Sequence, residues 1–173
     1  MKIRKAERKD LSDILRIYAY ARAFMKANGN PDQWGNVYPS TELIQEDMEK
    51  GICYVCTEGE HIAGVFVFFK GEDPTYRVIR EGNWHRNSPY GVLHRVASDG
   101  SIKGIARFCF DFAKENCDYL RIDTYKDNIP MQNTLAKKTD SADVGSLILT
   151  TVPRESPMTG KPERKILQRR ILL

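Results

Sequence analysis

The amino-acid sequence predicts a mixed α/β fold in a single domain, and three observations support this prediction. The chain has 173 residues, of which 41% are hydrophobic and 29% charged; this suffices for one domain with a buried core but is short for two. Apolar residues recur with strand spacing in some segments and with helix spacing in others, in the order β-α-α-β-β-loop-β-α-β-α. A strand–loop–helix unit at the centre of this order is typical of α/β layer folds.

A short strand and a long helix begin the chain. Residues 2–6 have the composition of a strand, and Asp10 is expected to cap the helix that follows. Apolar residues between Leu11 and Met25 fall on one helical stripe. The segment 28–31, with the sequence NGNP, contains helix-breaking residues, so we expect the helix to end there.

A second helix and a pair of strands follow. The helix is expected from Thr41 to Lys50, with Ser40 as its cap. The segments 52–58 (ICYVCTE) and 61–69 (HIAGVFVFF) are rich in strand-forming residues. Only a glycine and a glutamate separate them, which predicts a β-hairpin.

The second half of the chain starts with a long loop and continues with two strand–helix units. Residues 71–89 contain glycine, proline, asparagine and tryptophan without a period, which predicts a loop of functional length. A strand at 90–98 is followed by a helix over 102–112, and a strand at 119–125 by a last helix. Asn128 can cap that last helix.

The cysteines are expected to be structural thiols rather than ligands of a metal. Cys53 and Cys56 have a zinc-like spacing, but both lie in a predicted strand, where residues three apart point to opposite faces. No second pair has a matching spacing. The chain also has no secretory signal and no apolar run of about 18 residues, so we expect a cytoplasmic protein without a membrane partner.

The positive charge of the chain is concentrated at its end. Lysine and arginine number 27 against 23 acidic residues, a formal net charge of +4. Residues 151–173 hold six basic and two acidic residues, so residues 1–150 are balanced. This distribution argues against a basic nucleic-acid-binding domain, and a basic run at a chain end is more often solvated or disordered than functional.

The junction at 98–106, with the sequence SDGSIKGIA, is the strongest local candidate for a binding site. Gly100 and Gly104 would let the backbone approach a ligand closely, and the unpaired amides of a helix start favour an anion. Lys103 adds a positive charge, so a phosphate or pyrophosphate is the expected ligand. Two glycines at a helix start are more often an ordinary turn, and the spacing matches neither a dinucleotide site nor a P-loop.

The segments HRVAS and SIKGIA resemble the core motif of the GNAT superfamily of acetyl-CoA-dependent N-acetyltransferases. IRKAERKDLSDILRIY is similar to the opening strand and helix of that family, and YLRIDTYKDNIPMQNTLAKK to its fifth strand and the helix after it. The resemblance extends over residues 2–138. It implies a mixed, mostly antiparallel sheet with helices on both faces and acetyl-CoA as co-substrate.

The resemblance also implies which residues hold coenzyme A. The strand segment Arg95, Val96 and Ala97 would pair with pantetheine, and Asn128 would approach its end. The pyrophosphate would lie on the loop and helix start formed by Ser101, Ile102, Lys103, Gly104, Ile105 and Ala106. The family usually has Arg or Gln where this chain has Ser101. One phosphate contact is therefore missing or is replaced by Lys103.

The reaction needs a base for the amine and an acid for the thiolate. His94 lies beside the proposed pantetheine strand, and some amine-acetylating members resemble this chain in having a histidine there, so His94 is the candidate base. Its alternative is a histidine packed in the core. In many members a tyrosine serves as the general acid at the position where this chain has Leu135. Tyr125, at the end of the fifth strand, is the second-rank candidate acid, and the alternative is that Tyr125 is an aromatic residue packed at the rim.

The acceptor is expected to be a primary amine of a small molecule or peptide. Trp34, Trp84 and His85 lie in predicted loops and could form the wall of its pocket, or could pack over the core. Glu72 and Asp73 could attract a cationic amine, or could be solvated loop charges. The function predicted is acetyl transfer by direct attack in a ternary complex. The alternative is a catalytically weak or inactive protein that binds coenzyme A or a metabolite.

The segment after Lys138 departs from the resemblance. The family ends with a turn and two strands, whereas residues 139–173 have apolar residues spaced as in neither strand. Read one nucleotide earlier, the codons from Lys138 permit NGFxxCGI and later DGSxRIAYD, which is similar to that terminal hairpin. We therefore predict a domain at 1–138 and an atypical tail at 139–173 produced by a frameshift; a genuine divergent tail is the alternative.

A tail of this kind would leave the fifth strand without its usual neighbours. An unpaired strand edge and exposed apolar surface favour association, so a homodimer or tail-mediated contact is expected. The segment 146–152, with the sequence SLILTTV, could serve as one replacement strand.

Overall fold

The computed structural model describes residues 1–73, 88–125, 127–139 and 148–150. The strands are β1 (Lys2–Lys5), β2 (Cys53–Glu58), β3 (His61–Lys70), β4 (Gly91–Ser98), β5 (Leu120–Asp123) and β6 (Ile148–Thr150). The helices are α1 (Leu11–Ala27), α2 (Thr41–Glu49), α3 (Ile105–Asn116) and α4 (Ile129–Thr139), with a 3₁₀ turn at Arg8–Asp10. Each strand and helix predicted between residues 2 and 138 is present, and most of the predicted loop at 71–89 lies outside the described residues.

The strands form one sheet in the order β1-β2-β3-β4-β5-β6. The three pairs from β1 to β4 are antiparallel, whereas β4–β5 and β5–β6 are parallel. The mixed, mostly antiparallel sheet is therefore confirmed. None of the helices among the described residues is long and apolar enough to cross a membrane.

Helices cover both faces of the sheet, and each face has its own core. One core packs α1 and α2 on the sheet and includes Ile14, Ile17, Ile44 and Val55. The other packs α3 and α4 on the opposite face and includes Phe66, Phe110, Ile122 and Leu135. Cys53 belongs to the first core and Cys56 to the second, as the alternation of side chains along a strand predicts.

The starts of the helices agree with the sequence in two cases and differ in two. The Ser40 hydroxyl accepts a hydrogen bond from the Leu43 amide, and the Asn128 side chain accepts one from the Met131 amide, so both predicted caps are confirmed. Helix α3 begins at Ile105, three residues later than predicted. The reason is Gly104, whose φ of +86° keeps the preceding residues out of the helix.

Asp10 stands before α1 as predicted, but its side chain does not cap that helix. Its carboxylate instead accepts the Glu7 amide at 2.7 Å and forms an ion pair with Arg4 at 2.6 Å. The hydrogen bond from Arg4 lowers the pKa of Asp10 despite its burial. This carboxylate therefore joins β1 to the beginning of α1.

We expect Asp10→Asn to lower the free energy of unfolding at pH 7 by about 1–3 kcal/mol, because a charge-assisted pair is lost. Because the pKa of Asp10 is lower in the folded protein than its unfolded value of 3.8, the Asp10 carboxylate stabilises the fold at pH values above 3.8. This contribution to the free energy of unfolding disappears as the pH falls below 3.8 and the carboxylate is protonated. The gap between wild type and Asp10→Asn should therefore close on acidification. Urea unfolding between about pH 7 and pH 2.5 measures it.

Asp13→Asn is the matched control, because the Asp13 side chain is half-exposed and its pair with Arg16 lies at the surface. Its stability should follow that of the wild type across the same range. A constant gap between wild type and Asp10→Asn at every pH would contradict the assigned role of Asp10.

A bulge in β4 lies opposite β3. Val65 pairs with Ala97 and Val67 pairs with His94, so two residues of β4 face Phe66 alone. Arg95 takes the bulged position with a φ of +53°, which is uncommon for a residue other than glycine. The bulge changes the direction of β4 immediately after His94.

Strands β4 and β5 pair only at their beginnings. Gly91 pairs with Leu120 and Val92 pairs with Arg121, and no pair follows in the described residues. The two strands therefore part beyond the bulge and leave an opening between their C-terminal halves. The other edge of β5 pairs with Ile148–Thr150, which lies within the segment predicted as a replacement strand. The frameshift itself stays a prediction.

Candidate functional site

A cavity of about 470 Å³ lies where β4 and β5 part. Its lining combines the second half of β4, the start of α3, the end of β5 with the start of α4, and one side of α1 with the loop that follows it. Cavities of this size usually bind small molecules or cofactors. The main candidate residues from the sequence can therefore be located relative to one site.

The start of α3 supplies the part of the cavity suited to an anion. Gly104 has a φ of +86°, and a side chain there would meet no atom within 4 Å, so its backbone faces open space. The first amides of a helix have no partner within the helix, and Ile105 and Ala106, the first two residues of α3, both line the cavity. Lys103 and Arg107, both exposed, line the same region. Ile102, Lys103, Gly104, Ile105 and Ala106 all line the cavity, and their contact with a pyrophosphate stays a prediction.

Ser101 does not line the cavity. Its amide and hydroxyl both donate to Asp99, and its hydroxyl also lies 3.1 Å from the His61 ring. Burial opposes ionisation of Asp99, but hydrogen bonds from Ser101 and Arg16 outweigh it and lower the pKa of Asp99. Ser101 therefore stabilises the turn before α3, and its placement does not support the phosphate contact expected from the sequence.

Position 100 has room only for glycine, because Tyr20 lies too close for a side chain. The φ of Gly100 is +79°, and a side chain there would collide with the hydroxyl end of Tyr20 on α1. Tyr20 and Gly100 both line the cavity, so α1 contacts the loop before α3 directly. This contact joins the two walls of the cavity.

Arg95, Val96 and Ala97 all line the cavity, as expected for a strand segment open to a ligand. The Arg95 guanidinium, however, donates to Tyr38 at 3.0 Å and to Asp47 at 2.7 Å. Its carbonyl accepts a hydrogen bond from Tyr18 at 3.2 Å. The Arg95 side chain therefore fixes the bulge to α2 and to the loop before it, and the Arg95 carbonyl fixes it to α1. The backbone of Val96 and Ala97 is the part of this segment suited to pairing with a ligand.

Three solved structures have this architecture over most of the chain. An acetyltransferase of the GNAT family from Streptococcus agalactiae is 29% identical, with 79% of this chain and 82% of that chain covered at a TM-score of 0.70. A GNAT-family acetyltransferase from Listeria monocytogenes (17% identity, 79% and 83% covered, TM-score 0.59) and an N-acetyltransferase from Staphylococcus aureus (19%, 80% and 81%, TM-score 0.54) share the fold. The chain has the GNAT fold.

The similarity confirms the resemblance inferred from the sequence motifs. No protein-family model matches the chain, and no curated protein matches it by sequence. The GNAT assignment therefore rests on the structure together with the motif at 94–106.

His94 lies beside the bulge with its ring between two carboxylates. Its Nε2 atom is 2.9 Å from Asp73, and its Nδ1 atom is 3.2 Å from Asp123. The side chain is 10% exposed and lines the cavity together with Asp123. Both ring nitrogens face carboxylates, and these contacts orient the imidazole beside the cavity. The placement agrees with the role of base, which stays a prediction.

The structure also describes the two positions considered for the general acid. Leu135 is completely buried in the core below α3 and α4, so its position supplies no acid. Tyr125 lines the cavity immediately after β5, where a candidate acid is expected. That role stays a prediction as well.

The structure describes some of the residues expected to surround the acceptor and not others. Trp34 lines the cavity and packs edge-on against Tyr18 and Tyr38, with ring centroids 5.7 and 6.3 Å apart. Trp84 and His85 lie outside the described residues. Asp73 contacts His94, so it is more than a solvated loop charge.

Asn128 lines the cavity, but both ends of its amide are engaged. The oxygen caps α4, and the nitrogen donates to Gln33 at 2.9 Å. Gln33 and Asn30 come from the loop after α1, and Thr124 follows β5; all three line the cavity and were not singled out from the sequence. No motif links residues so far apart in the chain, and only the fold brings them together.

Proposed function

We propose that the protein transfers an acetyl group from acetyl-CoA to a primary amine of a small-molecule or peptide acceptor by direct attack in a ternary complex. The observation that carries the proposal is a single cavity that holds an anion-binding helix start, an open β4 edge and a histidine between two carboxylates. The GNAT fold of the chain supports the same chemistry.

The residues present fit coenzyme A. The amides at the start of α3 and the charges of Lys103 and Arg107 suit a pyrophosphate, and Gly104 leaves open space for it. The backbone of Val96 and Ala97 borders the gap left by β5, where the amides of pantetheine can pair as an added strand would. Bound there, acetyl-CoA would supply an activated thioester.

The protein must then move two protons. The amine nitrogen attacks only in its uncharged form, which it reaches by losing a proton to solvent; its bond to the acetyl carbon then forms, the carbon–sulfur bond breaks, and the nitrogen gives up one further proton to become the neutral amide. His94 accepts this further proton. Tyr125 gives a proton to the departing thiolate and is reprotonated from solvent.

Binding of acetyl-CoA provides the first test. We expect Lys103→Glu to weaken it about tenfold or more at low salt, because a cation becomes an anion beside the pyrophosphate. The loss should shrink as salt is added, since Lys103 is exposed. Calorimetric titration at two salt concentrations measures it. Lys114→Glu is the matched control, because Lys114 lies in the last turn of the same helix and does not line the cavity.

Release of free thiol in the presence of an amine panel then separates the two candidate functions. Amine-dependent release supports the transferase, whereas tight binding of acetyl-CoA without release by any amine supports a non-catalytic binding protein. No binding of acetyl-CoA to the wild type would contradict both.

A further inference from the structure

A chain of three side-chain amides lines the cavity, and the helix cap fixes its polarity. The Met131 amide donates to the Asn128 oxygen at 3.2 Å, so the Asn128 nitrogen must face Gln33. Gln33 therefore presents its oxygen, which accepts from Asn128 at 2.9 Å and from Asn30 at 2.7 Å. Asn30 uses its nitrogen for this contact, and its Oδ1 atom is left over.

That oxygen is a buried acceptor without a partner among the described residues. Asn30 is 3% exposed and lines the cavity, and its Oδ1 atom has no hydrogen bond. The Oγ1 atom of Thr124, a residue 2% exposed on the same lining, has none either. Buried polar atoms are normally satisfied, so these two atoms on one cavity indicate a polar ligand; the Asn30 oxygen can only accept a hydrogen bond, and the Thr124 hydroxyl can accept one as well.

Two carboxylates line the same region. Asp123 lies at the end of β5 and Asp127 in the connection to α4. We name these four residues, Asn30, Asp123, Thr124 and Asp127, the oxygen wall. Three cationic side chains are found among the described residues that line the cavity. Lys103 and Arg107 are at the start of α3, and Arg95 is bound to Asp47 and Tyr38.

The oxygen wall has more acceptors than the reacting amine can use. An uncharged primary amine has two N–H groups, and its lone pair must face the thioester. Even with Asp123 engaged by His94, the carboxylate of Asp127 and the two neutral oxygens exceed that demand. We therefore propose, building on the proposed function, that the acceptor carries a second, positively charged group, and that the oxygen wall binds it.

Three amines with the same four-carbon chain test the proposal directly: butylamine, 1,4-diaminobutane and 4-aminobutyrate. They differ only in the group at the far end, which is a methyl, an ammonium or a carboxylate. We expect kcat/KM for the diamine to exceed that of butylamine by about tenfold or more, beyond the factor of two from its equivalent amines, and 4-aminobutyrate to be the poorest. Equal or better use of butylamine would overturn the proposal.

Direct binding of the same amines to the protein with coenzyme A, measured by calorimetry, separates this proposal from the proposed function. Preferential binding of the diamine without acetylation of any amine would contradict the transferase and support the oxygen wall. Acetylation of all three amines at similar efficiency would support the transferase and contradict the oxygen wall.

Thr124→Val examines the oxygen wall without changing its shape. Removing a buried unpaired hydroxyl should leave the melting temperature equal or higher, while the preference for the diamine over butylamine falls severalfold. Thr57→Val is the control, since Thr57 is buried in β2 and does not line the cavity. An unchanged preference in Thr124→Val, with the fold intact, would exclude Thr124 from the oxygen wall and count against the proposal.

Discussion

Replacing His94 with glutamine is expected to lower kcat for acetyl transfer by about 10²- to 10⁴-fold, the usual contribution of a positioned acid or base. Glutamine keeps hydrogen-bonding groups near Asp73 and Asp123 but cannot accept the proton of the amine. His94 is the only histidine among the described residues of the cavity lining. Thiol release under saturating acetyl-CoA and amine measures kcat.

Binding of acetyl-CoA should be nearly unchanged in His94→Gln, because the anion-binding part of the cavity comes from the start of α3. A loss of binding equal to the loss of kcat would instead indicate a disturbed bulge. His61→Gln is the matched control, since His61 is exposed, pairs with Asp99 and does not line the cavity. A kcat for His94→Gln close to that of the wild type would contradict the assignment of the base.

In the proposed mechanism Asp73 acts through His94, so we regard it as a positioning residue, whereas Asp123 contacts His94 and also belongs to the proposed oxygen wall. They approach from different parts of the fold, Asp73 after β3 and Asp123 at the end of β5. The sequence could place His94 on a strand beside the motif, but it could not bring these carboxylates to it. Carboxylates are common at strand ends, and Asp123 becomes part of a site only because β5 pairs with β4 and β4 pairs with β3.

Local signals in the sequence predicted the order of the elements well, because hydrophobic spacing and helix caps act over a few residues. Ser40 and Asn128 illustrate this, since each caps a helix within three residues of itself. Ser101 illustrates the limit of the method. Its position in the motif indicated a phosphate contact, but the tertiary neighbours Arg16 and His61 complete a network around Asp99 that uses Ser101 for the turn.

Asn30 is the strongest example of a residue that the sequence could not assign. In the segment NGNP it has the features of a helix-ending turn, and that interpretation is correct for the backbone. Its amide acquires a role only through Gln33 and Asn128, the second of which lies nearly one hundred residues away. Polar side chains that complete one another across a cavity leave no periodic pattern in the sequence.

Gly64→Ala is expected to destabilise the fold strongly, because β3 has no room for a side chain at this position. An added Cβ would lie 2.5 Å from the Ile105 Cγ2 atom and 3.2 Å from the Ala97 carbonyl oxygen. Ile105 is the first residue of α3 and is 2% exposed, and the carbonyl belongs to the backbone of β4. Overpacking of this kind costs about 1–3 kcal/mol of unfolding free energy.

The same substitution should weaken acetyl-CoA binding, because relief of the collision moves the start of α3 away from the sheet and with it the amides proposed to hold the pyrophosphate. Ile105→Ala tests whether the collision with Ile105 causes the destabilisation in Gly64→Ala. Alone it should cost about 2–5 kcal/mol, as a cavity-forming core substitution does. In Gly64→Ala/Ile105→Ala the new methyl group occupies part of that cavity, so the double variant should be more stable than additivity predicts by about 0.5–3 kcal/mol. Strict additivity of the two losses in urea unfolding would show that strain elsewhere in β3, and not contact with α3, limits position 64.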